Sequence, residues 1–555
     1  MFVIWIFCIL HFADFCLKSN VLLPINSSLP NTTVNQQDIK RRDAIKNAFV
    51  YAWDAYKLHA WGSDELFPLN KSRNEWLNGQ ATTMIDAIST ICVMNLTHEL
   101  IDIKKFLANS EFKLSGKGTS LFEVTIRILG GLISAYDLSN DFFFLEKATL
   151  IGNQLLQSFE ANKRCSIPYN ELFSKNPQTT MHEKSTTSSF YLPSISELEI
   201  DFGQPKPQDT ALLSEVAVWL EFVALSDRTH DNSFAYNSLR ALQVILNAEG
   251  RSRSNIIPYQ INRDGMKFTH RQVTIGPPSD SFFEYLIKIA IYLFPDPLLM
   301  TSSTHPATST DEQSAQGIGI EEHWMEQMLA FNRKMKGINR NGLVWWKTSS
   351  DWGRWDHLSC FVPGNLALGV SFLNGWRQFK WERPMTERDA ILDELYKAST
   401  ELMNTCVDMY RRSSIGLSGQ FIEMKSEQVD AVQKEESEKY RLRPEVVESL
   451  FYLYRSTLDP KYKEEAWKIF VSIEKYCRIP PDFVNGKEFS RGYSSLSNVY
   501  QTSIKRINEM PSFFLSETLK YLYLIFCDPN TVFPLNEWVF TTEGHLLKTR
   551  KKLDN

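Results

Sequence analysis

Apolar residues recur along this chain at the three- and four-residue spacing of helices that bury one side. Ile45, Ala48, Phe49, Ala52, Trp53 and Tyr56 make one such stripe, which Trp61-Gly62 ends, and Leu121, Val124, Ile128, Leu132 and Ala135 make another. Phe283, Leu286, Ile287 and Ala290 form a third, and Val447, Leu450, Phe451 and Tyr454 a fourth. The pattern predicts further helices near residues 80–95, 141–159, 209–226, 321–335, 387–410, 461–477 and 512–527, with the last three stripes spanning 121–138, 280–294 and 443–455. This is an all-α chain of successive helical hairpins. Residues 170–208 and the Ser/Thr-rich Thr301–Gln316 break the periodicity and read as loops. Asp264-Gly265, between Asn255–Gln260 and Lys267–Arg271, signals a small β-hairpin turn.

The polar positions on these helices are unusual. Glu445 and Glu448 stand in the first turn behind Pro444, where a missing N–H costs nothing and the helix dipole favours negative charge. Glu123 with Arg127 and Asp280 with Glu284 are each four apart, and Glu517 sits among apolar neighbours after Ser512-Phe513-Phe514. Burying a carboxylate is expensive unless it is paired, coordinated or used. Acids repeated in the early turns of four apolar helices therefore point to a polar cavity inside a helical shell.

Composition narrows the chemistry. The 555 residues are 43% hydrophobic and 13% aromatic, enough for a large core, and the formal charge of −5 gives no footprint for a nucleic-acid partner. His-Glu-x-x-His, Cys-x-x-Cys and Gly-x-Ser-x-Gly are all absent, which argues against a zinc hydrolase or a serine-elbow esterase. Ser115–Thr119 looks like a phosphate loop, but position 111, where a Walker sequence needs Gly, is Glu. Residues 1–17 are almost wholly apolar and read as a secretory leader, cleaved or kept as a signal anchor. Residues 18–40 are polar, with Pro24, Pro30 and sequons at Asn26 and Asn31, and read as a stem; further sequons fall at Asn70 and Asn95. Outside the leader, the cysteines Cys92, Cys165, Cys360, Cys406, Cys477 and Cys527 permit disulfides without fixing their pairing.

Several spaced blocks together resemble the class I α-mannosidases, glycoside hydrolase family 47. They are Ala52-Trp53-Asp54 through Trp61–Leu66, Phe122–Arg127, Asp280–Leu286, His357–Phe361, Arg443-Pro444-Glu445 with Glu448-Ser449, Ser512-Phe513-Phe514 with Glu517–Tyr521, and Phe540–Glu543. The resemblance implies an (α/α)7 barrel over residues 41–555 that trims α-1,2-linked mannose, with inversion, from the high-mannose N-glycans of glycoproteins. It implies Glu445 as the base that activates water and Glu123 as the preferred acid, acting directly or through a water, with Asp280 competing for that role. It implies Ca²⁺ on the carbonyl and hydroxyl of Thr542, with Glu517 and Glu543 holding its waters. Sugar contacts from Arg127, Glu215, His357, Arg443, Glu448, Phe513, Glu517 and Glu543, and a Cys360–Cys406 disulfide, follow from the same likeness. So does a place in the endoplasmic reticulum or Golgi lumen, through a type II anchor at 1–17 or, alternatively, as a soluble protein after cleavage.

The chain also departs from the family pattern. Pro278 stands where relatives that remove one particular mannose carry Arg, Ser89 where an Asp is usual, and Pro511 where an acid is usual. Gly544 and Leu546 alter the closing block. Retention of Glu123, Asp280 and Glu445 favours an enzyme over the alternative, a non-catalytic mannose-binding quality-control factor.

Overall fold

A computed structural model describes residues 34–553, apart from 113, 115–118, 161–166, 171–209, 296–298, 301–317, 349–352, 376–384, 425–428, 431–436, 502 and 504. The expected leader, most of the stem and the two expected loops lie outside the described residues.

The chain is built from α1 (Gln36–His59), α2 (Thr82–Val93), α3 (Glu99–Ala108) and α4, which runs from Leu121–Glu123 through a π-helical turn at Val124–Leu129 into Gly130–Ser139. Then come α5 (Phe142–Glu160), α6 (Trp219–Thr229), α7 (Asn232–Asn247), α8 (Asp280–Leu293), α9 (Ile320–Lys334), α10 (Val362–Gly375) and α11 (Met385–Arg411). The last are α12 (Glu445–Thr457), α13 (Lys461–Tyr476) and α14, π-helical over Phe514–Thr518 and α-helical over Leu519–Leu524. The first helix starts ahead of the Arg41 boundary read from the sequence, because the Asn35 side chain accepts the Asp38 N–H at 2.8 Å and caps it.

Burial sorts these helices into two rings. The even-numbered helices are buried nearly all round, whereas odd-numbered ones such as α3, which buries only Ile103 and Leu107, are amphipathic. The chain alternates outer and inner helices, and the ring closes where Thr90 of α2 donates to the Leu515 carbonyl of α14 at 2.8 Å. The result is an (α/α)7 barrel.

Inside it runs an antiparallel hairpin, Trp538–Phe540 paired with Leu546–Lys548. Ser134 of α4 donates to the Leu546 carbonyl at 2.7 Å, and the Phe540 ring lies 5.3 Å from Phe451 of α12 and 5.6 Å from Tyr521 of α14. Its turn, Thr541–His545, forms the floor of the barrel's open end. The hairpin plugs the barrel.

One local reading needs correction. Residues 209–226 are not one helix: Thr210–Leu212 is a strand and Ser214–Val216 a 3₁₀ turn, with Ala217 leaving helical geometry before α6 begins. That strand takes Gln260–Asn262 as its ladder partner. The expected hairpin around Asp264-Gly265 is present: Ile261 and Phe268 form an antiparallel bridge, Asn262 N–H donates to Lys267 O at 3.0 Å, Thr269 N–H to Gln260 O at 3.1 Å and Tyr259 N–H to Gln272 O at 3.3 Å, and the Gly265 N–H closes the turn on Asn262 O at 2.9 Å.

Candidate active site

The first turns of the inner helices bring their acids together above the plug turn. On α8, Glu284 accepts the Thr542 hydroxyl at 2.6 Å, Ser281 lies 3.1 Å from the same hydroxyl, and the Tyr285 hydroxyl accepts the Thr542 N–H at 3.0 Å. One turn further, Lys288 donates to Glu284, to Glu448 of α12 at 3.4 Å and to the Thr541 carbonyl at 3.3 Å. Tyr521 of α14 donates to Glu448 at 3.4 Å. On α4, Arg127 donates through Nε to Glu123 at 2.8 Å, and through one terminal nitrogen to Glu543 and to Ser512 Oγ at 3.1 Å. Glu284, Glu448, Glu517 and Glu543 are buried, while Glu123, Asp280, Glu445, Arg443, Phe513 and Thr542 are half-buried above them. The site thus has an accessible layer over a charged buried one.

Glu445 and Asp280 sit in opposite electrical settings. Burial alone would raise the Glu445 carboxyl, but His357 Nδ1 at 2.8 Å and Arg443 at 3.6 Å outweigh it and hold Glu445 below the usual carboxylate range. The other His357 nitrogen lies 2.8 Å from the Tyr410 hydroxyl, which fixes the ring. Among the described residues, no such cation offsets the burial of Asp280. Burial, with Glu284 and Glu445 nearby, pushes its carboxyl up to about 7. Burial also raises Glu448 to about 8, and burial lifts Glu517 and Glu543 well above the ordinary range, helped by Glu543 and Glu448 at the first and by Asp86 and Glu123 at the second.

Of the remaining expected residues, Arg443 stacks its guanidinium 5.8 Å from the Phe513 ring centroid and donates to Gln420 at 2.8 Å. Glu215 lies in the 3₁₀ turn, where its carboxylate accepts the Leu212 N–H at 3.4 Å, and that turn is tied to the residue pair before α8 by Ser214 N–H donating to the Pro278 carbonyl at 3.0 Å. Cys360 and Cys406 are joined in a disulfide, while Cys92, Cys477 and Cys527 are free. Glu284, Lys288 and Tyr410 were not expected as site residues. Only Glu284 carried a signal, its four-residue spacing from Asp280. Glu65, pushed by burial up to about 7 and accepting the Ser512 N–H at 3.1 Å, was missed although it stands in a recognised block.

The donor set suits a hard cation. Oxygen atoms surround Thr542, buried carboxylates exceed the nearby cations, and among the described residues no donor reaches the Thr542 carbonyl. Also among the described residues, no three His, Cys, Asp or Glu side chains converge as a direct metal cage. Thr542 and water-mediated carboxylates would hold such an ion.

Paired carboxyls, here over the floor of a helical barrel, are what glycoside hydrolysis requires. The family profile of Glycosyl hydrolase family 47 matches residues 48–549, and the chain belongs to that family. It is 32% identical over 512 residues to a mannosyl-oligosaccharide 1,2-alpha-mannosidase of Arabidopsis thaliana, covering 92% of this chain and 79% of that protein. It is 33% identical over 521 residues to the endoplasmic reticulum mannosyl-oligosaccharide 1,2-alpha-mannosidase of Rattus norvegicus, covering 92% and 68%. Its fold superimposes on an alpha-1,2-mannosidase from Trichoderma reesei with a TM-score of 0.71 at 23% identity, covering 92% of this chain and 99% of that one.

Proposed function

We propose that this glycoside hydrolase is an inverting, exo-acting α-1,2-mannosidase that trims high-mannose N-glycans on glycoproteins in the endoplasmic reticulum or Golgi lumen, with residues 1–17 as a type II anchor. The observation that carries the reading is the opposed pair above the floor: an ionised Glu445 oriented by His357, and an Asp280 held toward its protonated form. Two carboxyls pushed apart in this way divide the roles of base and acid. Glu445 takes the proton of the attacking water. Asp280 gives its proton to the departing glycosidic oxygen, and this setting favours it over Glu123, the preference read from the resemblance. Glu123 stays the competitor: it lies at the same mouth, locked to Arg127. Arg443 and Phe513 offer a planar cation and an aromatic face to the terminal sugar. Ca²⁺ bound at Thr542 would orient the sugar hydroxyls and ease ring distortion. No observation favours the non-catalytic alternative.

The test is release of free mannose from a defined high-mannose glycan by the full chain, with Ca²⁺ and with chelator, beside Glu445→Gln. Release abolished by both treatments supports the proposal. Tight glycan binding without release, from folded protein, refutes it.

A further inference from the structure

The plug turn is anchored from behind by a buried lysine that the chemistry above leaves unused. Lys520 is fully buried on α14, one turn after Glu517. Its ammonium donates to the Gly544 carbonyl at 2.5 Å and to Ser89 Oγ at 2.7 Å, two neutral acceptors. Burying an ammonium without a bonded carboxylate is costly. The geometry shows what the contact does. The Thr541 N–H donates to His545 O at 2.8 Å and the Gly544 N–H to Thr541 O at 3.0 Å, so Thr542 and Glu543 form the apex of a tight turn. Gly544 takes a φ of +68°, and a Cβ there would stand 3.0 Å from Glu517 Cγ. From the cavity side Glu284, Tyr285 and Arg127 hold the apex. From behind, Lys520 holds Gly544, and Ser89 lies 3.2 Å from His545 Nδ1.

We propose that Lys520 is a positioning residue that, through the Gly544 carbonyl, sets the place of Thr542 and Glu543 on the cavity floor and with it the affinity of the site for its cation and for the terminal mannose. The inference rests on the mannosidase reading. Lys520 touches neither ligand. Ser89 is its second acceptor, keeping the ammonium aimed at the turn.

The experiment is calcium titration calorimetry on the full chain, with KM and kcat measured separately on a high-mannose oligosaccharide. Lys520→Met is expected to weaken calcium binding by about tenfold, as loss of a group supporting a metal site does, and to raise KM in protein with native near-ultraviolet circular dichroism. Ser89→Ala, milder and informative where Lys520→Met fails to fold, is expected to show a smaller loss in the same direction. A purely structural lysine would lower the folded fraction and leave the calcium Kd of that fraction unchanged. That result in Lys520→Met, or in Ser89→Ala where only this variant folds, overturns the inference alone. A wild-type chain that neither binds calcium nor releases mannose overturns the functional reading and this inference with it.

Discussion

His357 decides which way Glu445 leans. Without its hydrogen bond, burial would be opposed by Arg443 and a backbone donor, and the carboxyl would rise from its depressed position. The base is competent only when ionised and the acid only when protonated, so the proposed pair predicts a bell-shaped kcat/KM. Its acid limb falls below the ordinary glutamate value of 4.5, since Glu445 is depressed, and its alkaline limb falls near 7, as Asp280 loses its proton. His357→Asn is expected to move the acid limb upward and cut the rate by about a hundredfold; an unmoved limb would show that another group is the base. Glu221 gives a second prediction of the opposite kind. It is fully buried, bonded by the Tyr285 hydroxyl and raised by burial to about 8. A carboxyl raised in the folded state stabilises fully below its unfolded value, and that contribution is lost as pH climbs through about 8. Glu221→Gln should therefore flatten the fall in denaturation midpoint between pH 5 and pH 9, a difference on the order of a few kcal/mol. The sequence showed the acids readily because carboxylates on apolar helices stand out. It did not show Lys288 or Tyr410, whose residue types are routine on any helix and whose partners lie on other helices.

At the scale of elements, legibility followed periodicity. The helices with a clean stripe, such as α12 and α8, were found nearly to the residue. α10 was not, because it is apolar on every face and has no stripe; its composition alone would suit a membrane, yet the apolar stretch Leu358–Gly375 is 83% buried within the barrel. α3 and α7 were passed over, and the π-helical turns in α4 and α14 leave no mark on a pattern read at 3.6 residues. Both of those turns sit at the mouth, where Arg127 and Glu517 enter the site. The disulfide is an element-scale device as well: it ties the turn just after His357 to α11, across a sequence separation of 46. Closing a loop of that length restrains the unfolded chain by about 4 kcal/mol in the chain-entropy account. Cys360→Ser with Cys406→Ser is thus expected to lower the denaturation midpoint and, by loosening His357, to shift the acid limb in the direction of His357→Asn. A stability loss with an untouched pH profile would mean that the imidazole is held by Tyr410 alone.

On the scale of the whole molecule, nothing local announces a closed ring. Helical periodicity implies hairpins but not how many close a circle, because closure depends on contacts such as Thr90 with Leu515, far apart in sequence. The plug was equally hidden, since two three-residue strands carry almost no signal. The molecule's far end holds that plug with a buried charge network. Arg228 of α6 donates to Asp137 of α4 through two nitrogens, to the Ala224 carbonyl and the Tyr292 hydroxyl at 2.8 Å each, and to the plug's Lys548 carbonyl at 3.3 Å. Asp137 in turn accepts the Lys548 N–H at 2.7 Å. One guanidinium therefore joins two inner helices, a third through Tyr292, and the hairpin that carries Thr542 at its other end. Removing it strands Asp137 in the interior with a single backbone donor, which costs about 3–5 kcal/mol. Arg228→Met should accordingly lower the denaturation midpoint sharply, and Arg228→Lys should lower it less, because an ammonium keeps the charge and loses the fork. Calcium affinity and KM in the folded fraction should stay near wild type, since Glu284, Tyr285 and Lys520 still fix the turn at the opposite end. A parallel loss of calcium affinity would mean instead that the plug moves as one rigid body, set from its base.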